Sequence, residues 1–176
     1  MASMAAAGTN ASDPDIEGYA VAVVREDAGW KVTPLNSSAL DSLEDAELQL
    51  RELRAAGAVF GLLNVDDEFF VVVRPAPNGA GLLLSDATAA LDYDVAEDVL
   101  DRLHVDVPDL DPDEVDDVDP WEEGDLAVLA DLGLPDGVMS IIVGDNDLYA
   151  DEQLGMIAAR LGFGDELAQV LDTLGI

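Results

Sequence analysis

AVFGLLNVDDEFFVVVRPAPNGAGLLL, residues 58–84, contains three apolar runs parted by two turn signals, and its reading decides the fold. The runs cover residues 58–63, 69–74 and 80–84. The acidic turn around Asp66-Asp67 separates the first two, and Pro77-Asn78-Gly79 separates the second from the third. Both turns are built from residues that accept tight-turn dihedrals. Strands joined by such short links pair as antiparallel neighbours, so this stretch predicts a three-stranded meander.

On the N-terminal side, residues 19–24 form a short apolar run, Asp27-Ala28-Gly29 supplies turn chemistry, and residues 30–33 resume the extended pattern until Pro34. That is a hairpin. Ser42-Leu43-Glu44-Asp45 then matches a capping box, and Leu43, Ala46, Leu50 and Leu53 recur at helical spacing, with Gly57 placed to end the helix. On the C-terminal side, Asp94-Val95-Ala96-Glu97 opens a second helix whose Val95, Val99, Leu100 and Leu103 share a stripe. The order strand, strand, helix, three strands, helix predicts an α+β fold: a five-stranded antiparallel sheet with helices on one face. Profilin-like and roadblock-like modules share that order. This analogy of fold favours sensing, docking or scaffolding over catalysis.

The domain begins near Ile16, after a tail of residues 1–15 that reads as disordered and lacks the basic and apolar regions of a secretory signal. The sheet domain spans residues 16–104. Residues 105–123 follow as an acidic linker, in which Asp109, Asp111, Asp113, Glu114, Asp116, Asp117, Asp119, Glu122 and Glu123 alternate with Pro108, Pro112 and Pro120. Prolines and self-repelling carboxylates resist helix and sheet alike, which predicts an extended, solvated spacer. The functional reading of the same nine carboxylates is a docking strip for a basic partner. Residues 124–176 predict a helical subdomain of four short helices. Leu126, Leu129 and Leu132 mark the first and Val138, Met139, Ile141 and Ile142 the second; Leu154, Ile157, Ala158 and Leu161 mark the third. Leu167, Val170, Leu171 and Leu174 mark the last. So small a bundle holds only a modest core, and it is expected to pack on the sheet or on a partner.

Composition excludes more than it assigns. The 176 residues carry 39 acidic side chains against 7 basic ones, a formal net charge of -32. Such a surface repels phosphate, which argues against direct docking on nucleic acid or on an anionic membrane. High charge alone would suggest disorder, but 49% hydrophobic residues supply enough apolar surface for a packed core. An acid-coated, lysine-poor halophile would look the same, and charge patterning does not separate the two origins. No apolar stretch approaches the roughly 20 residues that span a bilayer, so a cytoplasmic protein is expected.

The chemistry of the side chains is equally restrictive. Cysteine is absent, which removes disulfides, thiolate nucleophiles and cysteine-held zinc. The one histidine, His104, stands at a predicted helix end, where the helix dipole favours it, with no nucleophile motif nearby. His104-Val105-Asp106 is the nearest approach to the His-x-Glu of nucleobase deaminases, and without cysteines it holds no zinc of that kind. Gly79-Ala80-Gly81 and Gly162-Phe163-Gly164 lack the lysine and spacing of a phosphate loop. Neither residues 109–119 nor Asp145-Asn146-Asp147 carries the ligand pattern of a calcium loop. Pairs such as Asp66 with Glu68 or Asp92 with Asp94 are what chance produces among so many acids, so a glycosidase-like mechanism gains little from them. Arg74 and Asp86 end and follow neighbouring runs and are expected to meet across the sheet. No catalytic, cofactor or metal residue is assigned.

GYAVAVVRED (18–27), AGAVFGLLNVDDEFFVVVRP (56–75), LLLSDATAALDYDVA (82–96), GDLAVLADLGLP (124–135) and DLYADEQLGMIAARLGF (147–163) together resemble the actinobacterial family of tRNA adenosine deaminase-associated proteins. The resemblance covers nearly the whole chain after the tail, and carries no catalytic motif. It implies association, through gene neighbourhood, with a deaminase that makes inosine in tRNA. The expectation is a non-catalytic acidic adaptor that binds a basic protein partner such as that deaminase, without direct nucleic-acid or membrane contact and with self-association left open. The alternatives are a ligand-sensing profilin-like module with a pocket between sheet and helices, and a nucleic-acid mimic that competes with tRNA.

Overall fold

The meander forms as β3 (Val59–Val65), β4 (Phe69–Ala76) and β5 (Gly79–Leu84), and the hairpin as β1 (Gly18–Glu26) and β2 (Gly29–Pro34). In this computed structural model residues 17–176 are described, apart from residues 56, 78 and 116. The expected tail, residues 1–15, lies outside the described residues, as does Asn78 of the β4–β5 turn. The sheet is antiparallel throughout, in the order β2-β1-β3-β4-β5-β6. It has six strands, not five: β6 (Glu123–Gly124) adds two residues beside Leu83 and Leu84. At β6, Gly124 adopts φ +113, and a Cβ there would stand 2.2 Å from the Leu82 carbonyl oxygen. A side chain would therefore push this short strand off the edge.

The central strands explain the layering. Phe60 and Leu62 of β3 and Phe70 and Val72 of β4 point to one face, while Leu63, Val65, Phe69, Val71 and Val73 point to the other, and all are fully buried. A strand apolar on both faces needs cover on both, and the C-terminal helices, expected to pack on the sheet or on a partner, supply the second layer on the sheet itself. One face carries α1 (Leu43–Glu52) and α2 (Asp94–Leu103) with short 3₁₀ turns at Ser37–Leu40 and Ala87–Leu91. The other carries α4 (Asp136–Val143), α5 (Ala150–Leu161) and α6 (Gly164–Leu174). The second layer and sixth strand leave the profilin-like and roadblock-like arrangement unconfirmed.

Local chemistry sets the helix ends. Ser42 caps α1, its Oγ accepting from the Asp45 N–H at 3.3 Å. The helix stops at Glu52 instead of running to Gly57, because Arg54 already takes the left-handed conformation at φ 48. Leu50 of α1 lies against Gly61 of β3, where a Cβ would come within 2.9 Å of Leu50 Cδ1; the missing side chain lets the helix seat closely. His104 closes α2 as a left-handed C-cap.

The C-terminal half corrects the expected number of helices and packs on the sheet. Residues 126–132 form turns and a 3₁₀ segment, Ala130–Leu132, so there are three α-helices in place of four. They build no core of their own: Leu154, Ile157, Ala158 and Leu161 of α5 join the cluster containing Phe60, Leu62, Phe70 and Val72. Both ends of α5 are tied to the sheet. At its N-terminus the Asp151 N–H donates to Asp67 Oδ1 at 2.7 Å and the Ala150 N–H to the Asp67 carbonyl at 3.3 Å. These are helix donors that would otherwise lack partners. At its C-terminus Trp30 Nε1 of β2 donates to the Leu161 carbonyl at 3.1 Å, and the Trp30, Phe60 and Phe163 rings pack with centroids 5.3–6.2 Å apart.

Arg74 meets Asp131 and not Asp86. Its strand partner is Gly81, and its guanidinium grips both Asp131 carboxylate oxygens, the second at 2.9 Å, and the Val128 carbonyl at 2.9 Å. Asp86 instead caps the Ala87–Leu91 turn through the Thr88 N–H and hydroxyl. The antiparallel register explains the difference: Leu84 already pairs with Val71, so Asp86 lies near the start of β4 while Arg74 lies near its end.

Asp67 holds a left-handed backbone (φ 59) and caps α5 from a separate element. Asp67→Ala is expected to lower the unfolding free energy by about 1–2 kcal/mol in urea denaturation, from the lost cap and the less tolerant backbone. An unchanged midpoint would show that this tie does not hold the layer.

Candidate partner-binding surface

The acidic segment is folded onto the sheet domain. Its first helical turn, α3 (Pro112–Val115), is closed by the Glu114 carboxylate, which accepts from the Asp111 N–H at 3.0 Å. This corrects the expectation that the segment forms neither helix nor sheet. Proline suits a helix start, and acidic side chains are favoured in a first turn. Downstream, the Trp121 carbonyl accepts from the Ala87 N–H at 2.8 Å. Its indole packs on the α1–α2 cluster and donates to Glu123 Oε2 at 3.2 Å.

These contacts sort the nine candidate carboxylates. Asp109, Asp111, Asp113, Glu114, Asp117 and Asp119 are exposed, Glu122 and Glu123 are half-buried, and Asp116 lies outside the described residues. Glu114 and Glu123 serve the fold as a cap and an indole acceptor. The segment 105–123 contains no lysine or arginine. Elsewhere, Arg51 and Arg102 converge on Glu47, and Arg74 on Asp131. Those three cations are engaged by carboxylates outside the strip.

Surface grooves among the described residues include two beside the sheet. One, of about 420 Å³, lies beside the β1–β2 hairpin, with Arg25 and Lys31 among Glu26 and Asp27; Arg25 stacks 4.7 Å from the Trp30 ring centroid. The other, of about 350 Å³, runs between the acidic segment (Val115, Val118, Pro120) and the start of β4 with its neighbouring 3₁₀ turn. Glu68, Asp86, Asp92 and Tyr93 line it. Sequence reasoning took Glu68 and Asp92 only as members of chance acid pairs and missed Tyr93 altogether, since the groove exists only where residues 115–120 fold back over residues 68–93.

Tyr93 sits between two carboxylates: its hydroxyl oxygen is 2.6 Å from Asp66 Oδ2 and 3.0 Å from Glu68 Oε2. The ring packs on Phe69, centroids 5.1 Å apart. Tyr19, at the far side of the same turn, donates weakly to Asp151 Oδ1 at 3.4 Å. Among the described residues no group of three or more histidine, cysteine or carboxylate side chains is placed to hold a metal ion, and no helix is long and apolar enough to cross a membrane.

A family model described as Rv3753c-like tRNA adenosine deaminase-associated protein matches residues 18–164. The chain belongs to this family. The matched region runs from β1 to the start of α6 and so includes the sheet, the acidic segment and most of both helical layers. A relative, Protein Rv3753c of Mycobacterium tuberculosis, is 59% identical over 165 residues, covering 94% of this chain and 92% of its own length. No solved structure matches.

Both tyrosines of this family member flanking the β3–β4 turn hold their protons unusually firmly. Burial, then the Asp151 charge, pushes the Tyr19 phenol well above its ordinary value; burial, then the bonds to Asp66 and Glu68, does the same for Tyr93. Because the folded pKa values are raised, their contribution to stability is fully present below the unfolded phenol value of about 10 and is lost as pH rises beyond it. The chemical-denaturation midpoint is expected to fall as pH rises above about 10, and Tyr19→Phe with Tyr93→Phe should flatten that fall. Equal slopes in the wild type and the double variant would contradict this.

Proposed function

We propose that the protein is a non-catalytic acidic accessory protein that binds a basic protein partner in the cytoplasm, a tRNA adenosine deaminase being the partner its family's description indicates. The observation that carries this reading is the strip itself: exposed carboxylates at Asp109, Asp111, Asp113, Asp117 and Asp119, attached to the sheet and with no cationic residue among them. A field of this sign raises the encounter rate with a positively charged surface and disfavours anionic ones, phosphate included. An enzyme that acts on tRNA needs such a positive surface.

The family's description speaks of association with a deaminase, and the absence of cysteine leaves this chain without the zinc ligands of nucleobase deaminases. Asp116 belongs to the proposed strip by sequence position. Self-association is disfavoured by repulsion between like-charged surfaces at a net charge of -32.

Titration calorimetry of the purified chain with the tRNA adenosine deaminase of the same organism tests the proposal. A complex is expected at low ionic strength, weakened by about tenfold or more as salt rises through the physiological range. No detectable heat even at low ionic strength would remove it.

A further inference from the structure

We propose that the outer face of the α4–α5 layer is the contact between two copies of this chain, with the two α5 helices crossing antiparallel at Met156. The inference stands apart from the deaminase reading. It uses the layer on the other side of the sheet from Trp121, which packs with α1 and α2, so the acidic strips of both copies stay open to a partner.

The first observation is where apolar side chains are left in water. Met139, Ile142 and Val143 of α4 and Leu154, Ile157, Ala158 and Leu161 of α5 are buried against the sheet. Apolar residues also lie away from that buried side: Ile141 is 73% exposed, Tyr149 at the start of α5 67% and Met156 44%. Ile141 and Tyr149 are the two most exposed large apolar side chains among the described residues. One such residue is ordinary on a surface, but a group of them on one layer marks a contact.

The second observation is charge. The chain carries 39 acidic side chains, yet residues 137–144 contain no charged residue and residues 153–161 contain only Arg160. Two bodies of like charge repel through every acidic surface, which disfavours association elsewhere on the molecule. That repulsion is smallest at this face, so a second copy can approach here.

The third observation selects the occupant and its direction. Glu152, Met156 and Arg160 are all exposed and recur every fourth residue, so they form one ridge along α5. Met156 stands midway, with each charge about 6 Å from it along the helix axis. A twofold axis beside Met156 sets Glu152 of each copy against the partner's Arg160, giving two ion pairs around a methionine contact. Parallel helices would set like charges together, so the pattern favours the antiparallel crossing. Both groups have capacity to spare. The ion pairs of the described residues use Arg51, Arg74 and Arg102 and not Arg160. Glu152 accepts from the Tyr149 N–H at 3.1 Å through Oε1, which leaves Oε2 for the partner.

Sedimentation equilibrium of the full chain tests the proposal. The average mass is expected to climb from 18.5 kDa toward twice that value as concentration rises. Association should strengthen by about threefold or more between roughly 0.01 M and 0.15 M salt, because screening removes the long-range repulsion and leaves the apolar contact. Met156→Glu, Arg160→Glu and Glu152→Arg should each weaken it by about tenfold, with the circular dichroism spectrum of the fold retained. An equimolar mixture of the Arg160→Glu and Glu152→Arg chains should associate again, since one then carries two acids on its ridge and the other two arginines. A mass fixed at 18.5 kDa at every concentration and salt, a dimer indifferent to Met156→Glu, or a mixture no better associated than its components would each overturn the proposal.

Discussion

A β-sheet whose middle strands are apolar on both sides must be covered twice, and the rest of this molecule follows from that requirement. Phe60, Leu62, Phe70 and Val72 on one face and Leu63, Val65, Phe69, Val71 and Val73 on the other are all removed from water. Each such side chain contributes about 1.5–3 kcal/mol by its burial, so leaving either face bare would forfeit an amount comparable to the net stability of an ordinary domain. The chain therefore returns after α2 to supply a second layer. The connection it makes in doing so, residues 105–123, is the most acidic part of the molecule. The need for cover thus places a dense row of carboxylates along the sheet margin, where Trp121 and β6 hold them.

Charge and packing are kept apart in space. Among the described residues the one carboxylate that is largely buried, Glu47 of α1, is met by Arg51 and Arg102. Almost the entire net charge of -32 is then left to the surface, where it favours solution over aggregation while straining the compact state by self-repulsion. A cationic partner relieves that repulsion on binding, which gives the carboxylates a role that does not require them to catalyse anything.

Local features were legible in the sequence because their causes are local. The turns at Asp66-Asp67 and after Asp27, the Ser42 cap, the helix end at His104 and the stripe Leu154, Ile157, Ala158 and Leu161 each depend on residues a few positions apart. What was missed depends on partners far along the chain: Trp30 with Leu161, Arg74 with Asp131, and the two-residue strand β6, too short to show a period. One choice left open, whether the C-terminal helices pack on the sheet or on a partner, was decidable. FFVVV does not alternate, and an unbroken apolar strand signals burial on both faces, so a second helical layer was implied by residues 69–73 themselves. The groove was not legible, because its walls come from parts of the chain far apart in sequence, Glu68 to Tyr93 on one side and Val115, Val118 and Pro120 on the other.

That the acidic segment is a fixed part of the sheet fold, and so displays its charge in a set geometry, can be tested with the two tryptophans. Trp30 reports the junction of β2 with α5, and Trp121 the seating of the segment. Urea unfolding followed by fluorescence in Trp30→Phe and Trp121→Phe variants reads each site alone, after each variant's stability is fixed by circular dichroism. The expected result is one cooperative transition in each, with the fluorescence midpoint coinciding with loss of the helical signal. Release of Trp121 at a urea concentration well below that which melts the helices would contradict it.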